Sequence, residues 1–245
     1  MNQKYVDYLK KYLDDDKFND GLLKLKKGIS PQYIVGNVDF YGNIIHVDSR
    51  VLIPRFETEL LVEKTINYVY GFFDDKTLDI LDIGTGSGCI AIALKKELNC
   101  HVCASDISSD AIDVARGNAI SNKVDINFVQ SDLFSNVEGK YDVIISNPPY
   151  IRRDEIIEDI VRNNEPSVAL YAEDNGLYFY KNILKKVKSF LNSKFIIAFE
   201  IGYLQGNDIK KMAYEYLNNI EVIIEKDYSN KDRFVFIFSK NETIN

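Results

Sequence analysis

The 245-residue chain has few of the residues that build metal centres and disulfide frameworks, with only two histidines and three cysteines. The cysteines Cys89, Cys100 and Cys103 are odd in number and lie in or near apolar segments, which favours reduced, buried thiols over bridges. The Cys-His-Val-Cys run at 100–103 has the residue types of a metal site, but the chain offers no second Cys pair beside it. We therefore interpret this run as part of a strand and expect no metal.

Long apolar runs and an excess of basic residues are also absent. No apolar run approaches the ~20 residues that a membrane helix needs, and residues 1–17 contain no apolar h-region. We therefore expect a cytoplasmic protein without a membrane segment or signal peptide. The net charge of −7 argues against non-specific binding of duplex nucleic acid, which requires a basic surface.

The chain divides by pattern into three parts. Within residues 1–30, helical spacing of apolar residues predicts two short helices, over 3–13 and around 20–25, which are too small for a core of their own. Residues 31–56 are predicted to form a β-hairpin and connector, with Gly42-Asn43 as the turn. Residues 57–245 are predicted to form the main domain, which begins with a helix.

From residue 78 onward, apolar strands alternate with helices, which is typical of an α/β fold. Only seven residues, 227–233, separate the last two strands, too few for a helical crossover, so we expect these strands to be antiparallel. The sequence predicts a doubly wound, mostly parallel seven-stranded sheet with one antiparallel strand. The predicted strands are 78–83, 101–105, 126–130, 141–146, 195–201, 221–226 and 234–239, with helices at 89–98, 109–120, about 175–191 and 205–218.

The predicted strand 141–146 stops at Asn147-Pro148-Pro149-Tyr150. Each proline fixes its own φ, lacks an N–H and restricts the preceding residue to extended conformations. Asn147 is therefore held on a stiff backbone, where its side-chain carbonyl and the neighbouring backbone carbonyls are free to accept hydrogen bonds. With the ring of Tyr150 beside them, these groups suit a planar NH2 group that is held through both its hydrogens.

Three successive strand ends carry residue types that suit an adenosine-type ligand. The first ends in a glycine loop that lets the backbone approach a ligand, although Cys89 stands where a dinucleotide fingerprint has glycine. The second ends in an acid that can accept both hydroxyls of a ribose. The third ends in an Asp-Leu pair, which offers an acceptor to adenine and an apolar wall to its ring, although the acid could instead be a turn cap. With Asn147, the predicted ligand contacts are Gly84, Thr85, Gly86, Ser87, Gly88, Asp106, Ile107, Asp132 and Leu133.

The two sets of residues combine into one chemistry. If strand 141–146 lies beside strand 78–83, Asn147 projects into the crevice where the strand order reverses. An amide nitrogen is a poor nucleophile, and accepting its two hydrogens fixes its orientation and favours the positive charge that develops during alkylation. The indicated electrophile is the sulfonium methyl of S-adenosylmethionine. Asn147, Pro148 and Tyr150 are the predicted catalytic residues.

These motifs resemble those of the peptide chain release factor glutamine methyltransferases, which are class I S-adenosylmethionine-dependent methyltransferases with a Rossmann-like fold. The resemblance covers roughly residues 31–240. NPPY is shared with amino methyltransferases of DNA and RNA, whereas the IPR-x-ETE block and its hairpin distinguish the release factor family. The matching segments are PQYIVG (31–36), FYG (40–42), VLIPR (51–55), ETE (57–59), GTGSG (84–88), SDLF (131–134), NPPY (147–150), EP (165–166), AL (169–170) and DR (232–233).

The resemblance implies methyl transfer to the side-chain amide of the glutamine in the Gly-Gly-Gln motif of release factors, with 57–245 as the methyltransferase domain. Release factors are then the expected partners, without direct nucleic-acid binding. The alternative is a nucleic-acid amino methyltransferase, since a flipped base presents the same NH2 group, but the chain shows neither a basic cleft nor a target-recognition domain. A catalytically idle adenosine-binding module is disfavoured by the intact Asn147. The implied substrate contacts are Arg55, Glu57, Thr58, Asn147, Pro148, Pro149 and Tyr150.

Three features depart from the family pattern. Only about 30 residues precede PQYIVG, where the family usually has a longer helical domain, and Phe56 stands where many members have proline. Asn230 occupies a position that is usually glycine, and we expect the turn to survive because asparagine tolerates a left-handed backbone.

The charged segment 152–165 is either a mobile rim over the substrate or an ordinary solvated helix.

Overall fold

The computed structural model describes residues 2–240, in which short helices and a hairpin precede a sheet flanked by helices. The described helices are α1 (Gln3–Tyr12), α2 (Asp15–Lys26), α3 (Pro31–Val35), α4 (Phe56–Phe72), α5 (Cys89–Glu97), α6 (Ser109–Ser121), α7 (Asp159–Asn164), α8 (Tyr178–Val187) and α9 (Gly206–Tyr216). The described strands are β1 (Asn37–Phe40), β2 (Asn43–His46), β3 (Leu78–Ile83), β4 (Cys100–Asp106), β5 (Asn127–Gln130), β6 (Tyr141–Ser146), β7 (Leu191–Glu200), β8 (Ile220–Lys226) and β9 (Asp232–Ser239).

The main sheet has seven strands in the order β5-β4-β3-β6-β7-β9-β8. The first five strands of this order are parallel, whereas β9 pairs antiparallel with both β7 and β8. The predicted fold class is therefore confirmed, including the single reversed strand. The chain order reverses between β3 and β6, so the crevice for a ligand opens at the carboxyl ends of these two strands.

Both faces of the central strands are buried, because side chains alternate between two layers of helices. On one face, Ile80 of β3 and Val143 of β6 belong to a cluster with apolar residues of α4, α5 and α6. On the other face, Leu81 and Ile144 belong to a cluster with α8 and α9. This packing fixes the strand ends from which the candidate site is built.

The hairpin is shorter than predicted, because residues 31–35 form helix α3 and only β1 and β2 pair. Pro31 supplies a preset φ in the first turn, and Gly36 ends the helix with a φ of 84°. These caps outweigh the β-branched residues that suggested a strand. Other helix boundaries also differ: α2 begins earlier than predicted, α8 is shorter, and α7 lies in a segment predicted only as polar.

The helices α1, α2 and α3 pack on one another, Leu9 and Leu25 are buried, and the turn between α2 and α3 contacts α7. Asn164 of α7 accepts a hydrogen bond from the N–H of Ser30 at 3.2 Å and donates one to the carbonyl of Gly28 at 2.7 Å. The segment 152–165 thus contains a helix in contact with the N-terminal part, and its mobility stays a prediction, as do the domain boundaries. Among residues 2–240, no helix combines the length and apolar composition needed to cross a bilayer.

Candidate active site

A cavity of about 390 Å³ opens where β3, β4, β5 and β6 end. It brings together motifs that are widely separated in the sequence, as the strand-end argument predicts. Residues 166–169 and 171–173 and the start of α8 also line it. The predicted site residues that line it are Gly84, Gly86, Asp106, Ile107, Asp132, Leu133, Asn147, Pro148 and Pro149.

The glycine loop presents bare backbone to this cavity. Gly84 and Gly86 have φ values of 72° and 54°, which glycine adopts without the steric cost of a side chain. Apart from the adjoining residues of the chain, nothing in the described part lies within 4 Å of the position that a Cβ atom would take at either residue. The loop therefore leaves space for a ligand to lie directly against its backbone.

The other loop residues face inward and hold the turn. Thr85 Oγ1 donates to Asp82 Oδ2 at 2.6 Å, and the backbone carbonyl of Ser87 accepts from Asn118 at 2.9 Å. A Cβ atom on Gly88 would lie 3.1 Å from that of Ala115, so glycine here permits the close approach of α5 and α6. The predicted contacts of Thr85, Ser87 and Gly88 with a ligand stay predictions, since these three do not belong to the cavity lining of the described chain.

The carboxylate of Asp106 is fixed at the cavity wall. Its Oδ2 accepts from the N–H of Gly86 at 2.9 Å, and its Oδ1 accepts from the N–H of Ser108 at 2.9 Å. Burial raises the pKa of Asp106, whereas these backbone hydrogen bonds lower it. Each oxygen retains a second lone pair that can accept a hydrogen bond from a ligand hydroxyl.

Leu133 is held in a conformation that leucine rarely adopts, with a φ of 50°. The hydroxyl of Ser131 donates to the carbonyl of Leu133 at 2.9 Å and accepts from the N–H of Asn136 at 2.9 Å. This local network forces the Asp-Leu pair into the cavity wall. Backbone strain of this kind concentrates at ligand sites.

Asn147 stands at the end of β6 with its amide orientation defined. Its Nδ2 donates to Thr58 Oγ1 at 3.0 Å, and Thr58 Oγ1 donates to Glu200 Oε2 at 2.7 Å. Among residues 2–240, no hydrogen bond is formed to Asn147 Oδ1. The amide therefore keeps its carbonyl oxygen available for a hydrogen-bond donor, and its contact with a substrate stays a prediction.

Tyr150 does not belong to the cavity lining of the described chain. Its hydroxyl lies 3.4 Å from Glu200 Oε1, and its backbone carbonyl accepts from Gln205 Nε2 at 3.1 Å. Burial and the nearby Glu200 carboxylate raise the pKa of Tyr150. The geometry gives Tyr150 an anchoring position beneath the NPPY segment, and its contact with a substrate stays a prediction.

The connector before α4 lies beside the cavity. Arg55 forms an ion pair with Glu165, whose second oxygen accepts from the N–H of Ile53 at 3.1 Å. Glu57 lies half-buried in the first turn of α4. Phe56 is exposed and stacks on Tyr228, with the ring centroids 6.0 Å apart. The substrate roles of Arg55 and Glu57 stay predictions.

The turn that contains Asn230 survives the departure from glycine, as predicted. Asn230 has a φ of 60°, in the left-handed region that asparagine tolerates. Asp227 Oδ1 accepts from the backbone N–H groups of Ser229 and Lys231 at 2.8 and 3.1 Å, which holds the loop closed. The side chain of Arg233 then reaches Asp227 Oδ2 at 3.3 Å.

Glu200, which no sequence motif singles out, is 2% exposed at the end of β7. Burial is the main cause that raises its pKa to about 7, while its hydrogen bond from Thr58 and the charge of Arg233 lower the pKa. The sequence signal for this residue is a single carboxylate within the apolar run 195–201, because an acid in a buried strand needs a partner. Its partners come from distant segments, which the sequence alone does not connect.

The chain is similar in sequence to known methyltransferases. The family model of the Methyltransferase small domain matches residues 56–195. The release factor glutamine methyltransferase of Bacillus cereus is 37% identical over 228 residues, which cover 91% of this chain and 81% of that protein. The protein of the same name from Streptococcus pneumoniae is 42% identical over 209 residues, 84% of this chain and 74% of that protein.

Solved structures show the same fold. The protein-(glutamine-N5) methyltransferase (release factor-specific) from Alicyclobacillus acidocaldarius has a TM-score of 0.51 and 23% identity, over 77% of this chain and 95% of that chain. The hMettl16 catalytic domain, solved in complex with an RNA hairpin, has a TM-score of 0.61 and 18% identity, over 84% and 78%.

The sequence relatives show the family as well as the fold, because their sequence identity with this chain extends over most of both proteins. The resemblance drawn from the sequence motifs is thereby confirmed. The chain is a methyltransferase and belongs to the release factor glutamine methyltransferase family.

Proposed function

We propose that the protein transfers a methyl group from S-adenosylmethionine to the side-chain amide nitrogen of the glutamine in the Gly-Gly-Gln motif of peptide chain release factors. The observation that carries this proposal is the Asn147 amide, whose NH2 group is bound to Thr58 while its Oδ1 remains available beside the cavity. A fixed carbonyl acceptor suits an NH2 group, and the glutamine amide is such a group.

The cavity has the features that S-adenosylmethionine requires. Bare backbone at Gly84 and Gly86 leaves open space for the methionine part, and the Asp106 carboxylate retains lone pairs for the ribose hydroxyls. Ile107 and Leu133 offer apolar walls to an adenine ring, and Asp132 offers an acceptor to its amino group. We assign the cofactor to these residues. When bound, it supplies an electrophilic methyl group.

The residues of the NPPY segment act on the acceptor nitrogen. Asn147 Oδ1 and the backbone carbonyl of Pro148 accept the two N–H hydrogens, and this fixes the nitrogen in one orientation. Because both partners are oxygen dipoles, they favour the positive charge that builds on the nitrogen as its bond to the methyl carbon forms and the carbon–sulfur bond of the donor breaks. The nitrogen then loses one of its two protons to water, which leaves a neutral methylated amide. The two prolines keep the acceptors in place, so little reorganisation is needed during the reaction.

The choice of release factors as substrate is supported by the names of the relatives and by the extent of their identity with this chain. The likeness to the RNA-bound hMettl16 domain concerns the fold alone. The net charge of −7 also favours a protein substrate over nucleic acid. The test below therefore includes nucleic acid as the competing substrate.

The test is methyl transfer from labelled S-adenosylmethionine to a purified bacterial release factor, followed by mass spectrometry of the Gly-Gly-Gln peptide. We expect one methyl group on the glutamine and none on a release factor in which this glutamine is alanine. Equal labelling of the alanine variant, or labelling of an RNA and DNA pool in place of the protein, would overturn the proposal.

A further inference from the structure

Three side chains from different elements form a hydrogen-bonded relay beneath the NPPY segment. It runs from Asn147 Nδ2 to Thr58 Oγ1 at 3.0 Å and from Thr58 Oγ1 to Glu200 Oε2 at 2.7 Å. The other carboxylate oxygen, Oε1, lies 3.4 Å from the hydroxyl of Tyr150. Thr58 and Glu200 are 3% and 2% exposed, so water does not compete for these bonds.

The direction of the relay follows from the available protons. A carboxylate only accepts hydrogen bonds, and a hydroxyl has one proton to donate. While Glu200 is ionised, the proton of Thr58 is committed to it, and only a lone pair of Thr58 Oγ1 faces Asn147. The Asn147 amide therefore turns its NH2 group towards Thr58 and its Oδ1 away from it, where a substrate amide can be held.

Protonation of Glu200 allows the reverse order, which an anionic Glu200 forbids. A neutral carboxyl group can donate to Thr58, and the proton of Thr58 is then free for Asn147 Oδ1. The amide turns over and directs its own NH2 group at the substrate. Two NH2 groups face each other in that arrangement, and neither accepts a hydrogen bond from the other.

We propose that Glu200 is a positioning residue, which acts through Thr58 to hold the Asn147 carbonyl towards the substrate, and that methyl transfer requires Glu200 as an anion. The inference rests on the proposed function and adds to it a control of the same site by pH. Neither Glu200 nor Thr58 touches the reacting atoms in this scheme.

The surroundings of Glu200 set the pH range of this control. Burial is the largest influence and raises its pKa to about 7. For a group with that pKa, the ionised fraction rises about tenfold between pH 6 and pH 8. The groups that face Glu200 are Glu57 and Thr58 from α4, Tyr150 after β6, Tyr180 from α8, and Arg233 from β9 with Asp227 behind it.

The test compares kcat for release factor methylation at saturating cofactor between pH 6 and pH 8. We expect kcat of the wild-type enzyme to rise about tenfold over this range, and Glu200→Gln to change less than twofold because it cannot ionise. Thr58→Val keeps the volume but removes the hydroxyl, and we expect its kcat to fall at least tenfold. Thr58→Ser restores the hydroxyl and should retain at least five times the kcat of Thr58→Val.

The matched control is Thr65→Val, because Thr65 is also buried on α4 and its hydroxyl donates to the carbonyl of Leu61 at 2.7 Å. We expect this variant to keep the wild-type kcat and pH profile. Affinity for S-adenosylhomocysteine, measured by calorimetry, should stay within threefold in all four variants, since the assigned cofactor contacts lie after β3, β4 and β5.

The outcomes separate this inference from the function on which it rests. A pH rise that persists in Glu200→Gln, or equal losses in Thr58→Ser and Thr58→Val, would overturn the relay and leave the proposed methylation intact. Wild-type kcat in Thr58→Val would do the same. If the wild-type enzyme transfers no methyl group to a release factor at any pH, the proposed function and the relay both fail.

Discussion

Gly176 leaves no room for a side chain against the backbone carbonyl of Tyr150. A Cβ atom on Gly176 would lie 3.1 Å from the carbonyl carbon and would overlap the oxygen. Gly176 also has a φ of 83°, in the left-handed region, within the short turn Asp174–Gly176 that precedes α8. The segment before α8 therefore closes on the NPPY backbone at a position that requires glycine.

We expect Gly176→Ala to lower the free energy of unfolding by about 2–4 kcal/mol, because the strained backbone costs about 1–2 kcal/mol and the Tyr150 carbonyl must also move. kcat should fall more than tenfold, since that carbonyl belongs to the NPPY segment. Urea denaturation and the methylation assay measure the two effects. Gly117→Ala is the control: nothing in the described chain crowds its Cβ position in α6, and alanine there should stabilise by about 0.5–1 kcal/mol. Equal stability of the two variants would contradict the argument.

Asn147→Ala is expected to lower kcat about 100-fold or more, the scale for loss of a preorganised polar contact. Affinity for S-adenosylhomocysteine should change by no more than a few-fold, because other strand ends supply the assigned cofactor contacts. Calorimetry and steady-state kinetics measure the two quantities separately. Equal losses in both would assign Asn147 to cofactor binding and remove it from the chemistry.

Asp106→Ala is expected to weaken binding of S-adenosylhomocysteine by about 1–3 kcal/mol, the typical cost of a lost hydrogen-bond partner at a buried site. The N–H groups of Gly86 and Ser108 also lose their acceptor, so part of the loss comes from a looser loop. Asp110→Ala, an exposed acid at the start of α6, should change the affinity by less than about 0.5 kcal/mol. Unchanged affinity in Asp106→Ala would remove this residue from the ribose role.

The sequence predicts the cavity wall because its determinants are local. Glycine at 84 and 86 and proline at 148 and 149 restrict the backbone wherever they occur, and parallel strands bring their carboxyl ends to one edge. The placement of β6 beside β3 was only a condition of the sequence argument, and the sheet of the structure meets it. For these parts, pattern and tertiary structure agree.

The sequence does not predict the hydrogen bonds that Thr58 forms with Asn147 and Glu200. Thr58 and Glu200 are 142 positions apart, and their hydrogen bond depends on how α4 packs against β7. The helix α3 was also missed, because the end caps Pro31 and Gly36 outweigh the β-branched residues between them. The Thr58–Glu200 contact depends on tertiary packing, and helix α3 depends on its terminal residues. The periodicity of apolar residues indicates neither of them.

The ion pair between Arg55 and Glu165 should stabilise the cavity rim. The Glu165 side chain is 1% exposed and that of Arg55 is 33% exposed, so removal of either partner leaves a charge in a poorly solvated place. Allowing for the partial exposure of Arg55, we expect Glu165→Gln to cost about 1–3 kcal/mol and a double-mutant cycle with Arg55→Ala to give a coupling of about 1 kcal/mol. The exposed pair Lys24–Asp20 is the control, with an expected coupling below about 0.5 kcal/mol. Equal couplings would show that burial adds nothing to the Arg55 pair.

Asp82 should make the stability of the protein fall as the pH rises from about 4 to about 7. Burial is the main cause that raises the pKa of Asp82 to about 7 in the folded state, and the charge of Asp106 raises it further. In the unfolded state an aspartate has a pKa of about 3.9. Within this window the folded state binds the proton and the unfolded state does not, so the free energy of unfolding decreases with pH, by up to about 1.4 kcal/mol for each unit.

Urea denaturation at pH 5, 6 and 7 measures this slope. Asp82→Asn cannot ionise and should have a flatter profile, with a remainder of the same sign from Glu200, whose pKa is also raised to about 7. Asp79→Asn, an exposed position on the same strand, should retain the wild-type slope. If Asp82→Asn keeps the wild-type slope, Asp82 is already ionised in the folded protein at pH 5, and burial does not govern its charge.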